Sequence, residues 1–152
     1  MKMIFAVEVY EYQGRIFIFP MSETEAGYFY EFPSLKISYD SPAIEIGRLV
    51  LEASKRVRNF EFEDSPFEDE DIEIFRDTGV KKYVTFINKS RYCKVRPDLL
   101  GSSKIRIAPG YRSAGGFEFG EGLFATPDDP QDIGDKVLQA LKTYEPKYPK
   151  KR

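Results

Sequence analysis

A chain of 152 residues is long enough to bury a substantial core, yet with no histidine, no tryptophan and a single cysteine it lacks the side chains that most catalytic and metal sites use. The missing histidine removes the commonest general base and metal ligand, and Cys93 alone can neither form an internal disulfide nor complete a zinc site of the usual type. With 25 acidic and 23 basic residues the net charge is only −2, which excludes neither sign of partner.

The start, MKMIFAVEVYEY, has one basic residue and meets Glu8 before any long apolar run, so it resembles neither a signal peptide nor a membrane span. It is expected to be the opening strand of a cytoplasmic protein. The 13 Phe and 10 Tyr lie mostly in strand-like runs, which favours a β-rich domain. Residues 3–12 alternate around Phe5, Val7 and Val9, and 15–21 continue beyond Gln13-Gly14, which predicts a β-hairpin. A third strand is expected from Tyr28 to Tyr39, bent or interrupted at Pro33 because proline cannot donate to a ladder.

Asp40-Ser41-Pro42 reads as a helix start, with Ser41 able to accept from orphan amides and Pro42 at the first position. Ile46, Leu49, Val50, Ala53 and Val57 then recur at helical spacing. After the middle of the chain, Tyr83 to Ile87 and Arg91 to Arg96 read as a second hairpin around Asn88-Lys89-Ser90. Lys104 to Ala108 reads as a further strand, and the apolar pieces Phe117 to Phe119 and Leu123 to Ala125 follow a glycine-rich turn. The last helix starts at Asp128-Asp129-Pro130 and carries Ile133, Val137, Leu138, Ala140 and Leu141.

The two helices are alike: residues 46–55 and 133–142 agree at six of ten positions, including Gly47 and Gly134. Glycine inside a helix costs roughly 0.5–1 kcal/mol relative to alanine, so the pair calls for close packing, expected against a neighbouring strand. The expected fold is α+β: one domain over residues 1–146, an antiparallel sheet packed against two similar helices, with β-β-β-α halves related to each other. The basic tail 147–152 is expected to be disordered.

Charge is distributed very unevenly. Between Glu61 and Asp77 nine carboxylates face one base, Arg76, and removing them from 25 acidic and 23 basic residues leaves 16 and 22. The segment therefore carries −8 and the remainder +6. So acidic a stretch repels itself, and Phe62, Phe67, Ile72, Ile74 and Phe75 within it give a basic partner something apolar to grip. The candidate partner-binding residues are Glu61, Phe62, Glu63, Asp64, Phe67, Glu68, Asp69, Glu70, Asp71 and Glu73. The second half of the stretch, Glu68 to Arg76, is also compatible with a short helix.

Catalytic and cofactor signatures are missing. Residues 110–122 are glycine-rich but match neither the Walker nor the dinucleotide fingerprint, and the acids lack the ordered spacing of a calcium loop. No cofactor, metal or turnover is expected. The alternative reading is single-stranded RNA binding: from Lys81 to Arg112 nine bases oppose one acid, Asp98, and Tyr83, Phe86, Tyr92 and Tyr111 are interleaved with them. The same bases are also close enough in sequence to neutralise the acidic stretch internally.

The chain also resembles the immunity proteins of bacterial contact-dependent growth inhibition systems. The resemblance rests on the strand pair ending Ile18-Phe19-Pro20, the helix start Ser41-Pro42-Ala43-Ile44-Glu45-Ile46-Gly47 with Val50-Leu51 and Ala53-Ser54 behind it, Thr78-Gly79, and Asp132-Ile133-Gly134 with Val137-Leu138 and Ala140-Leu141. It implies non-covalent inhibition of the toxic C-terminal domain of an effector, with an RNase or DNase as partner. It transfers no contact residue; the interface named above comes from charge alone.

Overall fold

The computed structural model describes residues 6–24, 27–30, 34–56, 86, 88–97, 103–113 and 116–144. The expected hairpin is present as β1 (Ala6–Tyr12) and β2 (Arg15–Thr24), paired antiparallel from Ala6↔Met21 to Tyr12↔Arg15. Gln13 and Gly14 both take positive φ, 54° and 80°, the turn geometry whose twist matches two flanking strands. The predicted third strand is two pieces, β3 (Gly27–Tyr30) and β4 (Leu35–Ser38), both paired with β2. Helix α1 (Ala43–Arg56) opens one residue later than expected, with the Pro42 carbonyl accepting from Glu45 N at 3.0 Å and Ile46 N at 3.2 Å.

The second hairpin is corrected. Strand β5 (Arg91–Pro97) pairs with β1 and with β6 (Ile105–Ser113), and Phe86, Asn88 and Lys89 are helical. The reason is packing: the Phe86 ring is fully buried against Tyr10, Tyr12 and Phe17, with centroids 5.0, 5.3 and 6.2 Å away. Ser90 Oγ donates to the Phe86 carbonyl at 2.5 Å and closes the turn. Two short strands follow on β6, β7 (Gly116–Phe119) and β8 (Leu123–Ala125), before helix α2 (Pro130–Leu141).

The fold is α+β, as expected: one antiparallel sheet in the order β3-β2-β1-β5-β6-β7, with β4 also on β2 and β8 also on β6. This order reads the same from either end. Among the described residues the labelled strands and helices of each half run β-β-β-β-α, the third strand of the expected β-β-β-α unit being split in two. Core positions correspond across the halves. Val7 and Val9 match Cys93 and Val95, Ile16 and Ile18 match Ile105 and Ile107, and Leu35 and Ile37 match Leu123 and Ala125. The central pairs Val7↔Val95 and Val9↔Cys93 interchange under the same correspondence.

Both helices bury their apolar stripe on this face, Ile46, Val50 and Ala53 beside Ile133, Val137 and Ala140. The paired glycines touch the opposite helix, not a strand. A Cβ on Gly47 would lie 2.6 Å from the Pro130 carbonyl carbon, and one on Gly134 2.5 Å from that of Ala43.

Helix α2 is capped as its sequence predicts. Asp129 accepts from Asp132 N at 3.2 Å, and Pro130 takes the first turn. The Asp132 carboxylate reaches back to Thr126 N at 2.8 Å and across to Lys136 Nζ at 2.8 Å. Hydrogen bonds from Lys136 and then Thr126 lower its pKa to about 2.

Candidate functional site

The acidic interface residues Glu61, Phe62, Glu63, Asp64, Phe67, Glu68, Asp69, Glu70, Asp71 and Glu73 all lie outside the described residues, as do Lys81, Lys82, Tyr83 and the tail 147–152. The surface that the structure does place is the sheet face opposite the helices.

Alternation along the strands sends Tyr10 and Phe17 of the first half to that face, and Tyr92, Lys94, Arg96, Arg106 and Ala108 of the second. The aromatic rings form a row across the centre of the sheet. From Phe86 it runs to Tyr10, on to Tyr92 at 5.5 Å and then to Phe119 at 6.0 Å. Gly110 makes that crossing possible, because a Cβ there would strike the Tyr92 ring.

Electrostatics are set at the middle of the row. Glu8, nearly buried, accepts from Tyr10 OH at 2.6 Å and faces Lys94 Nζ at 3.7 Å across the β1–β5 pair. Lys94 Nζ also stands 5.0 Å over the Phe119 ring, a cation–π contact. Beneath the same face the Cys93 thiol is fully buried, and burial followed by the Glu8 charge pushes its pKa far up, so it is neither a nucleophile nor a metal-binding thiolate at neutral pH. Among the described residues no group of three or more His, Cys, Asp or Glu side chains is placed to hold a metal ion.

Beyond Lys94 the face opens into a cavity of about 110 Å³ lined by Lys94, Arg96, Arg106, Ala108, Phe119 and Gly120. Arg96 and Arg106 are direct cross-strand partners, and Arg106 in turn opposes Phe124. Among the described residues, Phe119 and Phe124 are the exposed large apolar side chains, at 37% and 47% exposure. Arg106 lies across Gly122, and its Nε is buried with no hydrogen-bond partner among the described residues.

Of the aromatics expected to stack RNA, Phe86 and Tyr92 are corrected to core residues, at 0% and 4% exposure. Tyr111 packs on Tyr144 with centroids 4.7 Å apart, and its hydroxyl donates to Glu118 at 3.1 Å, which raises its pKa. Among the bases, Arg91 is drawn towards Glu11 at 3.7 Å and donates to the Tyr144 carbonyl at 3.4 Å. Sequence reasoning missed Phe119 and Phe124 and the Arg96–Arg106 register. The only signal was alternation in β5 and β6, which assigns faces but not cross-strand partners.

By sequence the chain matches no family model and no curated protein. By structure it is similar to a protein of unknown function from Neisseria meningitidis, with TM-score 0.70 and 16% identity over 94% of this chain and 96% of the other. It is also similar to a chain of a CdiA-CT/CdiI toxin and immunity complex from Yersinia pseudotuberculosis, with TM-score 0.65 and 13% identity over 92% of this chain and 97% of the other. At these identities the likeness establishes a shared fold. No helix among the described residues is long and apolar enough to cross a membrane.

Proposed function

We propose that this protein is an immunity protein that binds the toxic C-terminal nuclease domain of a contact-dependent growth inhibition effector in the cytoplasm and neutralises it by non-covalent occlusion, without turnover. The observation that carries this reading is the shared fold, over nearly the full length of both chains, with a chain of a toxin and immunity complex. It is supported by charge. A nuclease must be positive to hold nucleic acid, and the −8 stretch from Glu61 to Asp77 has the opposite sign and carries phenylalanines that can fill pockets. Glu61, Glu63, Asp64, Glu68, Asp69, Glu70, Asp71 and Glu73 would steer and pair with toxin lysines and arginines, with Phe62 and Phe67 as apolar anchors.

The test is co-expression with any toxin domain encoded in the neighbouring open reading frame. Survival of the co-expressing cells is expected, and death at the rate of toxin alone would refute the reading. Reversing the charges of Glu68, Asp69, Glu70 and Asp71 should weaken the complex at low ionic strength; unchanged affinity would move the interface elsewhere.

A further inference from the structure

The two halves share a framework, so the positions at which their outer faces differ stand out against it. In the first half, the cross-strand row is Tyr10, Phe17 and Lys36. In the second, the corresponding row is Arg96, Arg106 and Phe124. Phe86 caps the first row and buries Tyr10 and Phe17. No described residue caps the second row: Arg96 and Phe124 are exposed, and the cavity opens beside them.

Two arginines directly opposite on adjacent strands repel each other. No carboxylate among the described residues pairs with either, whereas Lys94 in the adjacent row is held by Glu8. The cavity, about 110 Å³, is far below the 300–1,000 Å³ of a typical ligand pocket and suits one anionic group projecting from something larger. Arg96 and Arg106 oppose each other in the register and both line this cavity, and each guanidinium fork matches one carboxylate, the first inside the cavity and the second at its rim.

We propose that Arg96, Arg106 and Phe124 form a docking site for an acidic protein segment, its carboxylates on the two arginines and an apolar side chain on Phe124. The site is separate in sequence and opposite in sign from the acidic stretch, and it does not depend on the toxin reading. A nucleic-acid strand fits this face less well. One face of the half-exposed Phe119 ring is occupied by Lys94 and the ring packs edge-on with Tyr92 at 88°, which leaves a poor platform for a stacked base. Two unpaired arginines would neutralise only a couple of phosphates, too few for strong backbone binding.

The test uses the full chain and three probes: a fluorescently labelled Glu-Glu-Phe-Glu-Glu peptide, an oligothymidine strand and inorganic phosphate. The peptide should bind wild type in a salt-sensitive manner, weaken about tenfold or more in Arg96→Ala/Arg106→Ala and about threefold in Phe124→Ala, and be unaffected by Arg48→Ala on α1. Melting curves will show that the variants remain folded. No peptide binding to wild type, or equal binding to the double variant, would overturn the proposal. So would tighter binding of oligothymidine that the same variant abolishes, which would make the face a nucleic-acid surface. Binding of phosphate as tight as that of the peptide would reduce the face to a simple anion site and also overturn it.

Discussion

Gly47 and Gly134 occupy the same point of their two helices, and each faces the first residue of the other helix: Gly47 the carbonyl of Pro130, Gly134 that of Ala43. The contact is reciprocal, as the symmetry of the sheet requires. An added methyl would meet backbone, which cannot rotate away. Gly47→Ala and Gly134→Ala should each destabilise the fold by about 2 kcal/mol or more, because overpacking outweighs the gain of about 1 kcal/mol in helix propensity. The double variant should lose less than the two single losses combined, since the first methyl already opens the seam for the second. Urea unfolding of the three variants measures this.

Phe86 should be the most costly single truncation on the outer face. Its ring touches Tyr10, Tyr12 and Phe17 and is fully buried, so Phe86→Ala is expected to cost about 3–5 kcal/mol, and Phe86→Leu clearly less. Denaturant midpoints check it. A cost as small as that of an exposed side chain would mean that Phe86 does not cap the first half.

The Asp132 carboxylate ties α2 to the segment before it, and its folded pKa of about 2 lies below the ordinary carboxylate value of about 3.9. The charged form is therefore favoured by folding. The stabilisation is fully present above about pH 4 to 5 and is lost as pH falls from there through about 2. Asp132→Asn removes the Lys136 ion pair and weakens the Thr126 contact. Its stability deficit should be constant near neutral pH and shrink below pH 4, as seen in urea midpoints collected from pH 6 to pH 2. A deficit independent of pH across that range would contradict the assignment.

Much of the frame was legible in the sequence. The hairpin at Gln13-Gly14, both helical stripes and the internal repeat follow from alternation, spacing and turn chemistry, and all are present, apart from Val57 of the first stripe, which lies outside the described residues. The strand expected around Phe86 failed because Tyr83-Val84-Thr85-Phe86-Ile87 has high local strand propensity, whereas the open half of the β1–β2 face needs a ring to cover it, and tertiary packing won at Phe86. The glycine pair showed that something must approach closely, but periodicity within one helix cannot say whether a strand or a second helix does so. The site was less legible than the frame. Arg96 and Arg106 are separated by a connection that no short-turn rule covers, so only the observed register brings them side by side.

That register has its own consequence for stability. Arg96→Gln or Arg106→Gln relieves a like-charge pair and should raise stability by about 0.2–1 kcal/mol, a gain that a purely structural arginine would not give. Thermal unfolding at low ionic strength will show it most clearly, and the gain should shrink as salt is added.

The proposed function is stoichiometric inhibition of a nuclease. It is tested by the nucleic-acid cleavage rate of any nuclease domain encoded in the neighbouring reading frame, titrated with the purified protein. Cleavage should fall in proportion to added protein and stop at one equivalent, with the inhibitor recovered intact from the complex. Undiminished cleavage in the presence of excess protein would contradict it.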